Sequence, residues 1–511
     1  ILRWSGRDRA LGRESCRVPD DAARIEFYER RIAELEAVVA RQGELAELIE
    51  SQRQTIARLE ARVAELEHQA GRHSGNSSLP PSTDTLAERA AQAARRQSKR
   101  QKKAGRRAGK QPGAPGARLE PVADPDEIVE HAPTECGACG EELGPGDDTA
   151  VECRQVFDLP PRRVHVTEHR VHKRRCACGH TRTAGFPPEA TAPTAWGPEV
   201  RAVAAYLLVR HHLPVARVAQ ILSDLVAAPV STGWVAGINI EAAGRLNGFL
   251  TDLADRLAAA DVVHVDETGA RVSGIKWWFH VASTRWFTYL AVHRRRGHLA
   301  TDDIGILGRF DGTIVHDRWA PYWHYQQAGH ALCGAHLLRD LAAVAENWVQ
   351  AGWAEPMAGL LIDAKNLAED ALARGHRRLH WRHRRRIEAR YDELLADAFK
   401  ACPDPEPGAK RPVAERIAYN LAVALRDHKD EVLAFCFDLR VPFDNNQAER
   451  DLRMVKLQQK ISGAFRTPGG AESFAAVRSY IETGRKHGNN PLELLAQLFA
   501  GTPWAIPPPT T

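Results

Sequence analysis

The sequence predicts an α+β protein built from several domains. Three observations predict this class: a heptad repeat near the start, two cysteine pairs after it, and short acid-terminated strands separated by long helical stretches. At 511 residues the chain has the length of about three or four structural units. Its 43% hydrophobic content supports at least one buried core and excludes a wholly disordered chain.

A coiled coil is expected over residues 25–70, after an N-terminal extension (1–24) that lacks a Met and is left unassigned. Most heptad positions a and d are apolar. Position a holds Tyr28, Leu35, Gln42, Ile49, Ile56 and Val63, and position d holds Val38, Leu45, Gln52, Leu59 and Leu66. The two Gln residues weaken the seam and could fix its register. Such a coil would join two or more copies of the chain; the alternative is a helix packed on its own domain.

The net charge of +5 hides an uneven distribution. Residues 71–122 form a basic linker containing Gly and Pro, and its stretch 85–118 holds eleven basic residues and one acidic one. This segment lacks the apolar residues needed for a core, so it is either a solvated linker or a flexible arm on nucleic-acid phosphates. The candidate phosphate-binding residues in the arm are Arg106, Arg107 and Lys110.

A second basic cluster, 374–390, holds eight Arg and three His against one acid, Glu388. A solvated helix face explains this cluster as well as a nucleic-acid contact does.

A small zinc-ribbon-like module is expected over residues 123–190. Cys136 and Cys139 form one pair, Cys176 and Cys178 a second, and each pair is followed by Gly. Four thiolates suit a tetrahedral, structural Zn²⁺. Because C-x-C is narrower than the usual knuckle, one ligand could instead be Cys153, His172 or His180, and unliganded cysteines are the remaining alternative. Residues 151–171 alternate as short strands would. Nine Cys in the chain are too few for a disulfide scaffold, which favours a reducing compartment.

Residues 191–258 are predicted to be helical. Pro198 stands near a helix start, Pro214 forces a break, and Ser231 can cap a further helix. Short helices around a turn resemble a DNA-reading helix-turn-helix, although any helical bundle produces the same pattern.

Acids follow two of the expected strands. The strand 261–269 ends in Asp266 and Glu267, the strand at 312–319 ends on Asp317, and a polar helix containing Glu449 opens near Asp444. Converging carboxylates suit a pair of divalent cations that act on a phosphodiester.

Several motifs together resemble the IS66-type insertion-sequence transposases over nearly the whole chain after Tyr28. In order along the chain they are the coiled coil, the break 76–82, the basic arm, the cysteine pairs, and the segments 265–269, 315–317, 330–339 and 441–453. The last segment, VPFDNNQAERDLR, is the most specific. Leu79 departs from the family, which often has Lys at that position.

The resemblance implies a ribonuclease-H-like DDE catalytic domain with Asp266, Asp317 and Glu449 as the metal-binding catalytic triad. Its first part would be 259–344, a helical insertion 345–430, its second part 431–500, and a tail 501–511. Arg450 and Arg453 could touch DNA phosphates, with pairing of Arg450 to Asp451 or Asp444 as the alternative. Glu267 would point to the opposite face of the strand and is left out. The C-x-x-H pair Cys333 and His336 could be a second metal site, but a helix packed beside the active strands is the favoured interpretation.

The expected activity is that of a transposase of a mobile element. It would bind the element ends and carry out Mg²⁺- or Mn²⁺-dependent cleavage and strand transfer, with Zn²⁺ as a structural ion. The expected partners are double-stranded DNA, further copies of the chain and companion proteins of the same element. Because no membrane span or secretory signal is recognised, the expected location is the bacterial cytoplasm, at the nucleoid. The alternative is a DNA-binding regulatory or structural coiled-coil zinc protein with an inactive nuclease-like domain.

Overall fold

The computed structural model describes residues 121–144, 152–159, 164–187, 190, 192–348, 350–404 and 413–508, and interrupted stretches between 26 and 63. The N-terminal extension and residues 71–120, with Arg106, Arg107 and Lys110, lie outside the described residues. So do Tyr28, Leu35, Val38, Leu45 and Leu66 of the heptad pattern.

The described residues between 26 and 63 are all helical and exposed. They include the apolar heptad positions Ile49, Ile56, Leu59 and Val63, each more than half exposed in the single chain. An apolar seam of this kind is what a second helix would cover. The coiled coil remains a prediction.

The region between the cysteine pairs differs from the expected pattern. The described parts of 151–171 contain no strand, although their sequence alternates. Most of their apolar side chains are exposed, with Val156 at 92% and Val166 at 83%, whereas Val164 packs against the core of the following helices. Two short strands form a hairpin instead, β1 Lys173–Arg175 and β2 Thr181–Thr183.

Helices dominate the chain from residue 198 onward. Numbered in chain order, they are α1 Pro198–Ala205 (continued by a π-helical turn, Tyr206–Arg210), α2 Val215–Val226, α3 Thr232–Gly244, α4 Asn247–Ala258, α5 His298–Ile304, α6 Gly334–Asn347, α7 Ala354–Ala373, α8 Trp381–Ala401, α9 Val413–Asp427, α10 Lys429–Phe437, α11 Asn446–Ser462, α12 Pro468–Lys486 and α13 Pro491–Phe499. The start signals read from the sequence are confirmed. Pro198 is the first residue of α1, Pro214 precedes α2, and the Ser231 side chain accepts a hydrogen bond from Trp234 N at 3.1 Å.

A five-stranded mixed sheet lies at the centre of this part of the chain. Its strands are β3 Val262–Val272, β4 Ile275–Ser283, β5 Thr288–His293, β6 Thr313–His316 and β7 Gly329–Leu332. Their order across the sheet is β5-β4-β3-β6-β7. The β3–β4 and β4–β5 pairs are antiparallel, whereas β6 runs parallel to β3, and β7 parallel to β6.

The strand β3 is longer than the sequence indicated. It continues past Asp266 and Glu267 to Val272, so these acids lie within a strand and not at its end. The extra length pairs with β4 down to a tight hairpin at Ser273 and Gly274, whose φ values are 50° and 78°. Positive φ at both central residues is the requirement of a type I′ turn, which matches the twist of the flanking strands.

Different elements cover the two faces of the sheet. On one face Ala270 and Val272 share a core with α1–α3 and with α11, α12 and α13. On the other face Val263 and Val265 pack with α4 and with residues 306–328. The helical region 191–258 is therefore packed on both faces of the sheet. At the edge strand β5, α12 side chains accept the N–H groups of Thr288 (Thr483 Oγ1, 3.1 Å) and Leu290 (Ser479 Oγ, 2.8 Å).

The residues between β7 and α11 are mostly helical, as the sequence predicts. Helices α6 to α10 share a third core with Val315 of β6 and with Ala331 and Leu332 of β7. This core ends at Phe443, immediately before α11. Its packing fixes the distance between the end of β7 and the start of α11, and thus the position of Glu449 relative to the sheet.

Candidate active site

Asp266 and Asp317 come together at the point where β6 leaves the sheet. The parallel register pairs His264 of β3 with Val315 of β6. The pairing ends there, and Asp266 and Asp317 each lie two residues further along their own segments. Only the antiparallel partner β4 continues past this point. Asp317 therefore follows the end of a strand, as expected. Asp266 lies within β3, just past the last residue of β3 that pairs with β6.

Glu449 reaches the same place from the first turn of α11. Asn445, which precedes this helix, is 1% exposed and ties it to β3. Its side-chain N–H donates to the carbonyl of Val265 at 2.7 Å, and its carbonyl oxygen contacts His264 Nδ1 at 2.9 Å. Its backbone N–H donates to Cys333 Sγ at 3.1 Å. The buried residue Asn445 thus connects β3, α11 and the N-terminus of α6, through its side chain and its backbone N–H.

The charges of Asp317 and Glu449 both act on Asp266, although the ligand atoms of these three acids do not all lie within 4.8 Å of one another. Burial raises the pKa of Asp266 well above its ordinary value, and the charges of Glu267, Asp317 and Glu449 raise it further, against one hydrogen bond from Glu267 N that lowers it. The ionised carboxylates therefore repel one another. A divalent cation bound among them would relieve that repulsion.

Glu449 also has two neighbours on α6. Arg339 Nη2 donates to Glu449 Oε1 at 3.2 Å, and His336 Nδ1 lies 3.8 Å from the same oxygen. Burial, followed by the charge of Arg339, lowers the pKa of His336 and favours its neutral form. The ligand atoms of Cys333, His336 and Glu449 all lie within 4.8 Å of one another, the one such trio among the described residues.

Cys333 stands at the start of α6 and is buried. Burial raises the pKa of its thiol to about 11, so the thiol form prevails at neutral pH. The pair Cys333 and His336 therefore lies on a helix beside the active strands, as favoured from the sequence. With Glu449 it also offers donor atoms to a metal ion.

Glu267 points to the other face of β3, as the strand alternation predicts. Its side chain is 2% exposed and pairs with Arg296 at 2.6 Å. It also accepts a hydrogen bond from the Tyr322 hydroxyl at 2.5 Å. The Arg296 guanidinium in turn lies 4.0 Å from the centre of the Trp319 ring, two residues after Asp317. This arrangement fixes β3 to the segment that follows Asp317.

Arg450 and Arg453 are exposed on α11 next to Glu449. Arg450 donates to Gln447 Oε1 at 3.1 Å and forms no ion pair with Asp444 or Asp451. Asp451 is instead buried and paired with Lys486 at 3.2 Å. Among the described residues, Arg453 also has no acidic partner. Both guanidinium groups therefore remain available to an external anion.

Each cysteine pair lies on a turn that a glycine N–H closes. Cys136 O accepts from Gly140 N at 2.8 Å, and Cys176 O accepts from Gly179 N at 2.9 Å. Both glycines have a positive φ, 77° and 85°, which side-chain-bearing residues rarely adopt. The N–H groups of Ala138 and Cys139 and the neighbouring thiol lower the pKa of Cys136, and corresponding groups at Cys178 lower that of Cys176.

Each turn thus presents two thiols in the manner of a zinc knuckle. However, no three of the four cysteines come within 4.8 Å of one another in the part of the chain that is described. The zinc site remains a prediction.

Sequence reasoning missed three contributors to the site, namely Asn445, Arg339 and the pair Arg296 and Tyr322. Asn445 and Arg339 lie inside the segments that carry the family resemblance, so the signal was present but assigned to no role. Arg296 and Tyr322 reach Glu267 from 29 and 55 residues away, and no local pattern marks such contacts.

The donors at the sheet edge fit a hard divalent cation. Asp266, Asp317 and Glu449 offer carboxylate oxygens from three separate elements, and Mg²⁺ prefers such ligands. Cys333 and His336 are softer donors and fit Mg²⁺ poorly.

Comparison with known families gives the class of the protein: it is a transposase, an enzyme of mobile elements. Residues 193–473, more than half of the chain, match the family described as "Transposase IS66 family". The chain therefore belongs to the IS66 transposase family, which confirms the resemblance seen in the sequence. Residues 28–120 match a "Family of unknown function (DUF6444)". No curated protein matches the chain.

Among the described residues, no helix is long and apolar enough to span a membrane.

Proposed function

We propose that this transposase binds the ends of its element and catalyses divalent-metal-dependent cleavage and strand transfer of DNA. The proposal is supported by the placement of three acids in a chain of this family: Asp266 lies on β3, Asp317 follows the neighbouring β6, and Glu449 lies in the first turn of α11, which Asn445 ties to β3. The ions would be Mg²⁺ or Mn²⁺. Zn²⁺ would be confined to the cysteines 136, 139, 176 and 178.

The sheet supports a ribonuclease-H-like catalytic domain of DDE type. Three antiparallel strands, with two more parallel to the first of them, run in the order β5-β4-β3-β6-β7. Asp266 lies on β3, Asp317 directly follows the adjacent β6, and Glu449 lies on a helix packed against β3, an arrangement suited to an in-line displacement at phosphorus. The domain boundaries expected from the sequence, with an insertion at 345–430, belong to the same proposal.

Bound divalent cations at the three acids would stabilise the charge that develops on phosphate oxygens. The protein's own residues hold this site in shape. Asn445 fixes the start of α11 against β3, and Arg339 holds the Glu449 carboxylate through an ion pair. Arg450 and Arg453 lie one and four positions after Glu449, so their guanidinium groups can bind phosphates next to the reacting one.

The remaining parts of the chain would bind DNA and bring copies together. The exposed seam of the N-terminal helix suits a homo-oligomer, and the basic arm with Arg106, Arg107 and Lys110 suits DNA phosphates. The cysteine turns and the helices of 191–258 would contribute to the same DNA complex. Companion proteins of the element are further expected partners.

The test is cleavage of a duplex that carries the element's own terminal sequence. We expect nicking in Mg²⁺ or Mn²⁺, none in EDTA, and joining of the freed 3′ end to a second duplex. DNA binding without cleavage in either ion would contradict the proposal and favour the alternative, a regulatory protein with an inactive nuclease-like domain. Absence of binding as well would favour a structural coiled-coil protein.

A further inference from the structure

The arginine-rich segment of the helical insertion has no role in the site described above. It comprises the turn before α8 and the first turns of that helix. Within it Arg378, Arg382, Arg385 and Arg386 are all exposed, and we call these four residues the arginine face. Trp381, beside them, is 53% exposed.

The arginine face carries positive charge without a counter-charge. Among the described residues, none of its four side chains forms an ion pair. Two other cations of the same helix are paired: Arg390 with Glu393 at 2.8 Å and Lys400 with Asp397 at 3.1 Å. Arg384 is half-buried and lies over the Phe437 ring. Asp392 is neutralised by Lys429 at 2.6 Å. Among the described residues Glu388, the remaining acid of α8, forms no ion pair with the arginine face.

The position of these charges on the helix is unfavourable for the isolated chain. The N-terminus of a helix carries a partial positive charge, so cations there are destabilising, by about 0.3–1 kcal/mol each at low salt. The first turn of α8 contains no acidic residue, and arginines occupy its opening turns. An anion bound to them would reverse this repulsion.

Three of the arginines share one side of α8. The buried stripe of the helix contains Ile387, Tyr391 and Leu394. Arg382, Arg385 and Arg386 lie on the opposite side, at the i, i+3 and i+4 spacing that makes helical side chains neighbours. Their charges thus form one outward patch, which suits a row of phosphates.

The segment that leads into the arginine face is tied to residues before α11 and, through Arg440, to the residue before β3. Leu439 N donates to Arg377 O at 2.9 Å, and Leu379 N donates to Cys436 O at 3.1 Å. The adjoining Arg440 pairs with Asp261 at 2.9 Å, just before β3. Asp261 is five residues from Asp266, about 16 Å along an extended strand. The insertion that carries the arginine face is thus tied to the strand that bears Asp266.

We propose that the arginine face is a second DNA-binding site, which contacts backbone phosphates of the duplex beside the cleavage site. The inference rests on the proposed function, because a DNA-cleaving enzyme must hold duplex on both sides of the reacting bond. Arginine forks bind phosphate in a bidentate manner, and contacts of this kind carry no base specificity.

The test is the salt dependence of DNA affinity, measured by fluorescence anisotropy on the full chain in EDTA. The variant R382Q/R385Q/R386Q removes three charges of the arginine face. The matched control R390Q/K400Q/R426Q removes three charges of the same insertion that are engaged in ion pairs, with Glu393, Asp397 and Asp427. Both variants should keep the wild-type melting temperature within a few degrees.

Each phosphate contact contributes about 0.9 to the slope of log affinity against log salt. We expect the slope of R382Q/R385Q/R386Q to be smaller than wild type by about 2.7, and that of the control to be unchanged. Between 50 and 200 mM salt, wild-type affinity should then fall about 40-fold more than that of the variant.

Equal slopes for the two variants would overturn the inference and leave a solvated helix face. A loss of slope in a protein that binds but never cleaves DNA would keep the arginine face while contradicting the proposed function. DNA cleavage together with an unchanged salt slope in R382Q/R385Q/R386Q would support the proposed function and overturn the inference about the arginine face.

Discussion

Replacement of Asn445 by Ala should damage both stability and activity. The side chain is buried and makes two hydrogen bonds, donating to Val265 O at 2.7 Å and meeting His264 Nδ1 at 2.9 Å. Because the amide N–H group is used on Val265, its carbonyl must accept from His264, which fixes the imidazole with a proton on Nδ1. Burial lowers the pKa of His264 and keeps it neutral.

The size of the effect follows from the two groups left behind. Asn445→Ala leaves a buried carbonyl and a buried ring N–H without partners, at about 1–3 kcal/mol each, so the loss should be about 2–6 kcal/mol. This is a large fraction of a typical stability of about 5–15 kcal/mol. The same change frees the start of α11 from β3, which should displace Glu449 from Asp266 and lower the cleavage rate.

Urea unfolding followed by circular dichroism measures the free energy, with Asn446→Ala as the matched control. Asn446 is half-buried, and its backbone N–H, not its side chain, donates a hydrogen bond to Asp444 Oδ1 at 3.1 Å. The control should lie within about 1 kcal/mol of wild type. If Asn445→Ala were as stable as the control, Asn445 would not be the connection between β3 and α11.

Two further predictions concern stability. In EDTA, Asp266→Asn should raise the melting temperature at pH 8, and the gain should shrink towards pH 4. A carboxyl whose pKa is raised by folding stabilises the protein below its unfolded pKa of about 3.9, and that contribution is lost as pH rises through the folded pKa. Asn removes the ionised, repelled group, whereas the exposed control Asp311→Asn should show no such pH trend in differential scanning fluorimetry. A gain at pH 4 as large as at pH 8 would contradict the electrostatic origin. Separately, Gly334→Ala should destabilise by about 1–3 kcal/mol, because its Cβ would lie 2.3 Å from the Phe443 ring. In the helix α7, Gly359→Ala has open space and should stabilise by up to about 1 kcal/mol; equal effects in urea titrations would contradict the close contact.

Local signals in the sequence predicted several elements correctly. Pro198, Pro214 and Ser231 mark helix starts because proline and capping chemistry act within a few residues. Asp317 follows the end of β6 as the sequence predicted, whereas Asp266 lies within β3. Strand alternation also predicted that Glu267 points away from Asp266, and its side chain contacts Arg296 and Tyr322.

The features that sequence reasoning missed depend on long-range pairing. The length of β3 is set by its ladder with β4, although the Ser273-Gly274 dipeptide is itself a turn signal. The described parts of 151–171 contain no strand despite their alternation, and most of their apolar side chains, such as Val156 and Val166, are exposed. The contacts of Glu449 with Arg339, and of Glu267 with Arg296, join elements that only the packed fold brings together.

The most direct test of the account is single-turnover cleavage of the element's terminal duplex by three conservative variants. Asp266→Asn, Asp317→Asn and Glu449→Gln each remove one carboxylate while nearly keeping its volume. We predict that each loses strand cleavage in Mg²⁺, by at least about 100-fold, while its DNA affinity in EDTA stays within a few-fold of wild type. Wild-type cleavage rates in all three variants would contradict the assignment of the active site.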